Sequence, residues 1–298
     1  MSNIDMLERQ QLTTAREAVD GPAVDTDAAP TIIQARQGLL LPELEEMWHY
    51  RELLFFLVWR DIKVRYKQTI LGAGWAIIQP LFTMVIFSVI FGNFAKIPSE
   101  GVPYPIFSFA ALLPWMFFQG AVSQAGVSLI AQSNLLTKIY FPRIFVPAST
   151  VGVALMDFAL AFLVYLGIMV YYMHFPGLSI LLLPVLLLVT TIAAMGVGLF
   201  MAAVTVEYRD FRHLVPFMLQ VWMYASPVIY PVTMVPGRYQ WLMGLNPMTG
   251  LIGAFRSVLL NRPIPWTLLG ISSAAAVAIF VLGLWNFRRM ERRFADVA

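Results

Sequence analysis

The amino-acid sequence predicts an all-α integral membrane protein, and two observations support this fold class. Of its 298 residues, 59% are hydrophobic and only 12% are charged, whereas soluble domains carry about 25% charged residues. In addition, six apolar stretches are each long enough to cross a hydrocarbon core of about 30 Å as a helix. These predicted spans cover about 71–94, 106–131, 146–172, 180–205, 214–233 and 266–287.

The segment before the first span divides into two parts. Residues 1–40 are polar and contain several helix breakers, so we expect a disordered cytoplasmic tail. Residues 48–70 predict an amphipathic helix, because aromatic and apolar side chains repeat at helical spacing. These side chains are Phe55, Trp59, Ile62 and Tyr66. The apolar part of this helix is too short to cross the membrane, so we expect the helix to lie in the membrane interface. A soluble amphipathic helix is the alternative.

The distribution of Lys and Arg predicts that both termini lie in the cytoplasm. With the N-terminus inside, the cytoplasmic segments carry thirteen of these residues and the opposite side carries four. Cytoplasmic loops of membrane proteins are enriched in Lys and Arg. Residues 71–293 are then one six-helix transmembrane domain with a multi-pass topology.

The loop between the fifth and sixth spans, residues 234–265, contains a further predicted helix on the outer side. Asn246 and Pro247 are typical of an N-cap followed by the first helical residue. A helix from there to Leu260 is apolar but too short to cross the membrane. We therefore expect an outer helical hairpin that is re-entrant or lies on the surface.

The sequence offers no arrangement of residues suited to catalysis or metal binding. It contains no cysteine, and its three histidines, His49, His174 and His213, are scattered along the chain. It also contains no glycine-rich loop of the type that binds the phosphates of ATP. We expect no catalytic residue, no bound cofactor or metal, and no nucleic-acid partner.

Asp157 is the one acidic residue well inside a predicted span. A charged side chain in hydrocarbon is costly, so such a residue is a functional candidate. Because no other span supplies a Lys, Arg, Glu or His, we favour a structural role in which the carboxyl group is hydrogen-bonded. A proton-coupled secondary transporter that uses Asp157 is the alternative.

Two cytoplasmic connections have polar sequences suited to the docking of a soluble protein. In the first, Asn134 is placed to cap a short helix that Pro142 ends. If ATP drives this protein, another polypeptide has to supply the ATPase, and these connections are the expected contacts. The coupling candidates are Asn134, Lys138, Tyr140, Arg143, Glu207, Arg209, Asp210 and Arg212.

Aromatic residues make up 14% of the chain and collect near the predicted outer ends of the spans. The simpler interpretation is the aromatic belt that anchors membrane proteins at their interfaces. Ring faces also bind sugar rings, so a carbohydrate path is the alternative. Its candidate residues are Tyr104, Trp115, Phe117, Phe118, Trp222, Tyr224 and Tyr230.

The run RDIKVRYKQTILGAGWAIIQP, from Arg60 to Pro80, resembles the entry region of permease subunits of ABC-type polysaccharide exporters. That family includes O-antigen, teichoic acid and capsule exporters. From about Trp48 to Arg293 the order of segments is also similar, with an interfacial helix, six spans, an outer hairpin and a basic tail. The match is specific in its first third and mainly architectural after that.

The resemblance implies the permease subunit of an ATP-driven exporter in the bacterial inner membrane. It implies a homodimer that works with two cytoplasmic ATPase subunits, and ATP and Mg²⁺ would bind to those subunits. The substrate would be a lipid-linked polysaccharide, commonly on an undecaprenyl diphosphate carrier, moved from the cytoplasmic to the outer side. The candidates to meet the diphosphate are Arg60, Lys63, Arg65 and Lys67.

A membrane-embedded glycosyltransferase or acyltransferase is the alternative from another functional class. It requires clustered carboxylates or a histidine near a membrane face. The chain offers only scattered ones.

Overall fold

The computed structural model describes residues 48–67, 74–133 and 141–291, and the predicted tail at residues 1–40 lies outside these ranges. Within them the regular structure is helical, with no β-strand, which confirms the all-α fold class. The α-helices are α1 (Arg51–Lys67), α2 (Gly74–Phe87), α3 (Tyr104–Ala131), α4 (Phe145–Tyr171), α5 (Leu183–Glu207), α6 (Phe211–Ala225), α7 (Gly237–Gly244), α8 (Pro247–Leu259) and α9 (Trp266–Glu291). A π-helix, Ser88–Phe94, continues α2, and 3₁₀ turns lie at Leu178–Leu182 and Val232–Met234.

Five of the six predicted spans correspond to helices that are long and apolar enough to cross a membrane. Among the described residues these helices are Gly74–Phe94, Tyr104–Ala131, Phe145–Tyr171, Leu178–Glu207 and Trp266–Glu291. Their ends differ from the predicted ends by only a few residues, which is the usual uncertainty of helix termini.

The sixth predicted span, residues 214–233, is not one continuous helix. α6 ends at Ala225 after 15 residues, and Ser226 is extended, with a ψ angle of 150°. Ser226 precedes Pro227, and the proline ring disfavours helical geometry in the residue before it. The chain is then irregular as far as the 3₁₀ turn. Helix length therefore does not confirm the count of six spans.

α3 forms the centre of the helix bundle. Of its most apolar 18 residues, 78% are buried. In the corresponding 18-residue stretches of the other long helices, 39% of the residues or fewer are buried. α3 packs against α4, α5 and α8. The surrounding helices carry exposed apolar side chains such as Phe82, Leu163 and Leu188, which suits contact with lipid.

α5 and α9 cross at two glycines. A Cβ atom on Gly196 of α5 would lie 2.5 Å from the Cα atom of Phe280, and one on Gly283 of α9 would overlap the backbone of Gly196. Small residues let membrane helices approach to backbone contact in this way. The close packing of α5 on α9 thus depends on the absence of side chains at both positions.

α1 docks on α4 and presents aromatic side chains on its opposite face. Within α1 only Leu57 is fully buried, and Val58 contacts Gly152 of α4. Phe55 and Trp59, which belong to the predicted stripe, are 71% and 50% exposed. An exposed aromatic face suits a helix in the membrane interface.

α7 and α8 are short helices between α6 and α9. The predicted N-cap is confirmed, because the Asn246 side chain accepts a hydrogen bond from the Met248 backbone N–H at 3.0 Å and Pro247 is the first helical residue. Although α8 has only 13 residues, all of them except Gly253 are buried. Protein therefore encloses this short helix, which satisfies the condition for a non-spanning helix at membrane depth.

Arg256 on α8 holds the irregular segment that follows α6. Its buried guanidinium donates hydrogen bonds to the backbone carbonyls of Pro227 at 2.9 Å, Val228 at 2.5 Å, Tyr230 at 3.0 Å and Phe107 at 3.3 Å. Its Cζ atom lies 3.8 Å from the centre of the Phe107 ring. Burial lowers the pKa of Arg256 to about 9, so the side chain is still positively charged at pH 7.

Candidate functional site

A cavity of about 430 Å³ lies between α1, α2, α3 and α4. Polar groups in a membrane domain are costly unless they are paired or line a wet cavity. The polar lining residues are Arg65, Tyr66, Gln79, Gln119, Ser123, Gln124 and Asp157. The aromatic lining residues are Trp75, Phe117 and Phe158. Amides, a charge pair and ring faces thus share one space, which makes it the candidate binding site.

Arg65 connects α1 to two other helices at this cavity. Its Nη2 atom lies 2.8 Å from Oδ2 of Asp157 on α4, and its Nη1 atom donates to Oε1 of Gln124 on α3 at 3.0 Å. The Arg65 side chain is nevertheless 41% exposed, whereas that of Asp157 is 24% exposed. The guanidinium is therefore paired and also accessible.

Tyr66 supplies the second contact of the same carboxylate. Its hydroxyl group donates a hydrogen bond to Oδ1 of Asp157, while Arg65 binds Oδ2. Burial, together with this hydrogen bond to Asp157, raises the pKa of Tyr66 above its ordinary value. Tyr66 therefore remains a protonated donor at neutral pH, and both oxygens of Asp157 have partners from α1.

Arg60 makes a separate polar link, outside the cavity. Its Nη2 atom lies 2.7 Å from Oδ1 of Asp61 and donates to Oε1 of Gln132 at 2.9 Å. Ser149 of α4 donates to the other Asp61 oxygen at 3.1 Å. The middle of α1 is thus attached to the bundle by polar contacts.

The two lysines among the headgroup candidates are exposed on α1. The Nζ atom of Lys63 lies 5.1 Å from the centre of the Trp59 ring. Of the four basic candidates, the structure places only Arg65 in the cavity lining. Headgroup binding by all four candidates, Arg65 included, stays a prediction.

The charged partner of Asp157 is Arg65, which lies on α1 and not on a predicted span. Partners for Asp157 were expected only among residues of the other spans, which is why the sequence did not pair these two residues. The sequence analysis also did not single out Gln79, Gln119 and Gln124, although side-chain amides inside predicted spans are a visible signal of a polar site.

The aromatic candidates divide between the core and the surface. Trp222 and Tyr230 are partly buried, and Tyr224 is exposed. Of all seven, only Phe117 lines the cavity. The carbohydrate path along these rings stays a prediction. The aromatic candidates that are buried in the bundle are Tyr104, Trp115, Phe117 and Phe118.

The coupling candidates fall in two places. Asn134, Lys138 and Tyr140 lie outside the described residues. Arg143 donates to the backbone carbonyl of Glu291 at 3.0 Å, which ties the start of α4 to the end of α9. The remaining candidates are all exposed around the turn between α5 and α6, and they are Glu207, Arg209, Asp210 and Arg212. An exposed turn is compatible with docking, which stays a prediction.

Comparison with known proteins identifies the family. The model of the family described as ABC-2 type transporter matches residues 52–260. An O-antigen export system permease protein RfbA from Myxococcus xanthus is 29% identical over 254 residues, which cover 83% of this chain and 96% of that protein. A protein of the same name from Klebsiella pneumoniae is 26% identical over 247 residues, covering 83% and 95%. The polysialic acid transport protein KpsM from Escherichia coli is 20% identical over 209 residues, covering 67% and 78%. Because the family model spans α1 to α8, the chain belongs to the ABC-2 type transporter family.

Proposed function

We propose that this chain is the permease subunit of an ATP-driven exporter that moves a lipid-linked polysaccharide from the cytoplasmic to the outer side of a bacterial inner membrane. The observation that carries the proposal is the similarity to O-antigen export permeases, which extends over 83% of the chain. The cavity supports it, because amides, a guanidinium and aromatic rings are the groups that bind sugars and phosphates.

The proposed assembly contains two copies of this chain and two cytoplasmic ATPase subunits that bind ATP and Mg²⁺. Both termini are cytoplasmic, and the exposed turn between α5 and α6 contacts the ATPase. α6 and the irregular segment after it make the sixth crossing, and α7 and α8 form the outer hairpin. The burial of α8 supports this arrangement, because a short helix enclosed by protein is tolerated at membrane depth.

Within this assembly, Arg65 binds the diphosphate of the lipid carrier. Arginine holds phosphate oxygens through two parallel N–H groups, and Arg65 lines the cavity. Within the described part of the chain, the cavity lining contains one carboxylate, that of Asp157. A glycosyltransferase or acyltransferase site with paired carboxylates is therefore less consistent with this lining than a transport site.

The exporter proposal is tested by replacing Arg65 with glutamine. We expect Arg65→Gln to lower export about tenfold or more, because a charge-assisted hydrogen bond to phosphate contributes about 1.5–3 kcal/mol. Surface polysaccharide is measured on intact cells that express the chain with its ATPase, and membrane insertion and ATPase binding are checked first. Arg51→Gln is the matched control, since Arg51 is exposed at the start of the same helix and is not among the headgroup candidates.

Normal surface polysaccharide in an inserted, ATPase-bound Arg65→Gln variant would exclude Arg65 as the phosphate ligand. If a strain that lacks this protein still carried its normal surface polysaccharide, the exporter proposal itself would be wrong. Arg65→Lys is expected to restore export only in part, because lysine lacks the bidentate geometry.

The proposed topology is tested by single cysteines, which are readily interpreted because the chain contains none. We expect an impermeant thiol reagent on intact cells to label Ser99→Cys and Arg238→Cys but not Ala298→Cys. After permeabilisation, all three variants are expected to react. If only Ala298→Cys were labelled on intact cells, the protein would have the opposite orientation to the one proposed.

A further inference from the structure

We propose that Asp157 is an internal competitor for the phosphate group of the substrate, so that a phosphate reaches Arg65 only by displacing the Asp157 carboxylate. This inference rests on the proposed function, because it concerns how the same cavity admits its ligand. It assigns to Asp157 a role in ligand selection that is neither purely structural nor proton-carrying.

The geometry of Arg65 carries the first step of the argument. One terminal nitrogen is on Asp157 at 2.8 Å and the other is on Gln124 at 3.0 Å. A phosphate bound by the fork of the guanidinium needs N–H groups of these same nitrogens. If Asp157 kept its position, two anions would lie side by side, which strongly disfavours the bound state. The carboxylate therefore has to leave Arg65 before a phosphate binds there.

The second step concerns where the displaced carboxylate goes. Tyr66 donates to Oδ1 of Asp157, whereas Arg65 binds Oδ2. When Asp157 gives up Arg65 it keeps this hydrogen bond, so displacement does not leave the carboxylate without a partner. An isolated charge in this setting would be costly, and Tyr66 removes that obstacle to the exchange.

The consequence is selectivity for anionic ligands over neutral ones. Among the described residues that line the cavity, Arg65 and Asp157 are the charged ones, so their pairing leaves this part of the lining without net charge. A neutral lipid cannot compete with the carboxylate for the guanidinium. A diphosphate carries more charge than one carboxylate and offers more acceptor oxygens, so it can take the guanidinium from Asp157.

The test is ligand binding to the purified full-length chain in detergent, with geranylgeranyl diphosphate as the probe and calorimetry as the measurement. We expect Asp157→Asn to bind the probe about tenfold more tightly than the wild type, because asparagine keeps the size and the contact with Tyr66 but removes the competing charge. Asp157→Ser is a second variant, for use if asparagine impairs folding, and it is also expected to bind the probe more tightly than the wild type.

Two controls separate charge from mere loss of a contact. Gln124→Met removes a neutral acceptor of Arg65, so it is not expected to tighten binding. Arg65→Gln is expected to weaken binding about tenfold or more, by loss of a charge-assisted bond. In an Arg65→Gln background Asp157→Asn should give a smaller gain than in the wild type, because only the repulsion between the carboxylate and the phosphate is then removed and no guanidinium is freed.

Two further probes identify the ligand source. Tighter binding of inorganic pyrophosphate by Asp157→Asn would show that the phosphate group alone is recognised, and a gain confined to the prenyl diphosphate would show that the lipid-borne headgroup is required. Both results support the proposal. An equal gain with geranylgeraniol, or no gain with any probe, would overturn it. The export measurement described above decides the proposed function separately, because it does not depend on the direction of this affinity change.

Discussion

Arg256→Met is expected to lower the free energy of unfolding by about 3 to 5 kcal/mol. The Arg256 guanidinium donates to four backbone carbonyls, three of which belong to the irregular segment after α6. Methionine fills a similar volume but donates no hydrogen bond, so these carbonyls would remain buried and unpaired. Arg256→Lys should be nearly as damaging, because one ammonium group cannot reach acceptors arranged around a planar fork.

This expectation is measured as the thermal midpoint of the purified chain by tryptophan fluorescence. Arg262→Met is the matched control, since Arg262 lies shortly after α8 in the chain and donates to the backbone carbonyl of Glu100. A second readout is the reactivity of Val228→Cys, which is buried in the wild-type background and should become accessible when Arg256 is replaced. Equal midpoints for Arg256→Met and Arg262→Met would mean that Arg256 does not hold this segment.

Gly196→Ala is expected to destabilise the bundle by more than about 3 kcal/mol, which is above the usual range for one added methyl group. The new Cβ atom would lie 2.5 Å from the Cα atom of Phe280 and 2.6 Å from its backbone nitrogen. A flexible side chain could move away from such a contact, but the backbone of a packed helix cannot without shifting α9. The expected result is separation of α5 from α9 and poor recovery of folded protein.

Gly167→Ala is the matched control for this substitution. Gly167 also lies within a spanning helix, but a Cβ atom there would meet nothing within 4 Å. Replacing an unconstrained helical glycine by alanine stabilises a helix by up to about 1 kcal/mol, so the two variants should shift the thermal midpoint in opposite directions. If Gly196→Ala raised the midpoint as well, α5 and α9 would not be in backbone contact.

The sequence was sufficient to predict five spans, because the hydrocarbon core imposes a minimum length on any crossing helix. It was not sufficient for residues 214–233, because apolarity does not report whether the backbone stays helical. Proline alone does not decide the matter either. Pro80 and Pro114 lie inside α2 and α3, whereas Pro227 comes two residues after the last residue of α6, Ala225.

The residues of the candidate site were partly predicted, but their arrangement was not. Arg65 and Asp157 were each singled out, one for its charge beside a membrane and one for its depth in a span. Nothing local in the sequence shows that they meet, because the contact depends on which face of α1 turns toward α4. The predicted stripe was only partly the docking face: Phe55 and Trp59 turn outward, whereas Tyr66 contacts Asp157.

The docking of α1, by a few polar contacts and one fully buried leucine, has a consequence for local unfolding. Water or lipid headgroups can replace the contacts of Arg60, Asp61 and Arg65, and Leu57 is the one fully buried side chain of this helix. The free energy needed to lift α1 off the bundle is therefore a small part of the free energy of unfolding. We therefore expect α1 to open as its own cooperative unit and to exchange its amide protons sooner than α3. A helix at the mouth of the cavity can move in this way while the core behind it remains packed.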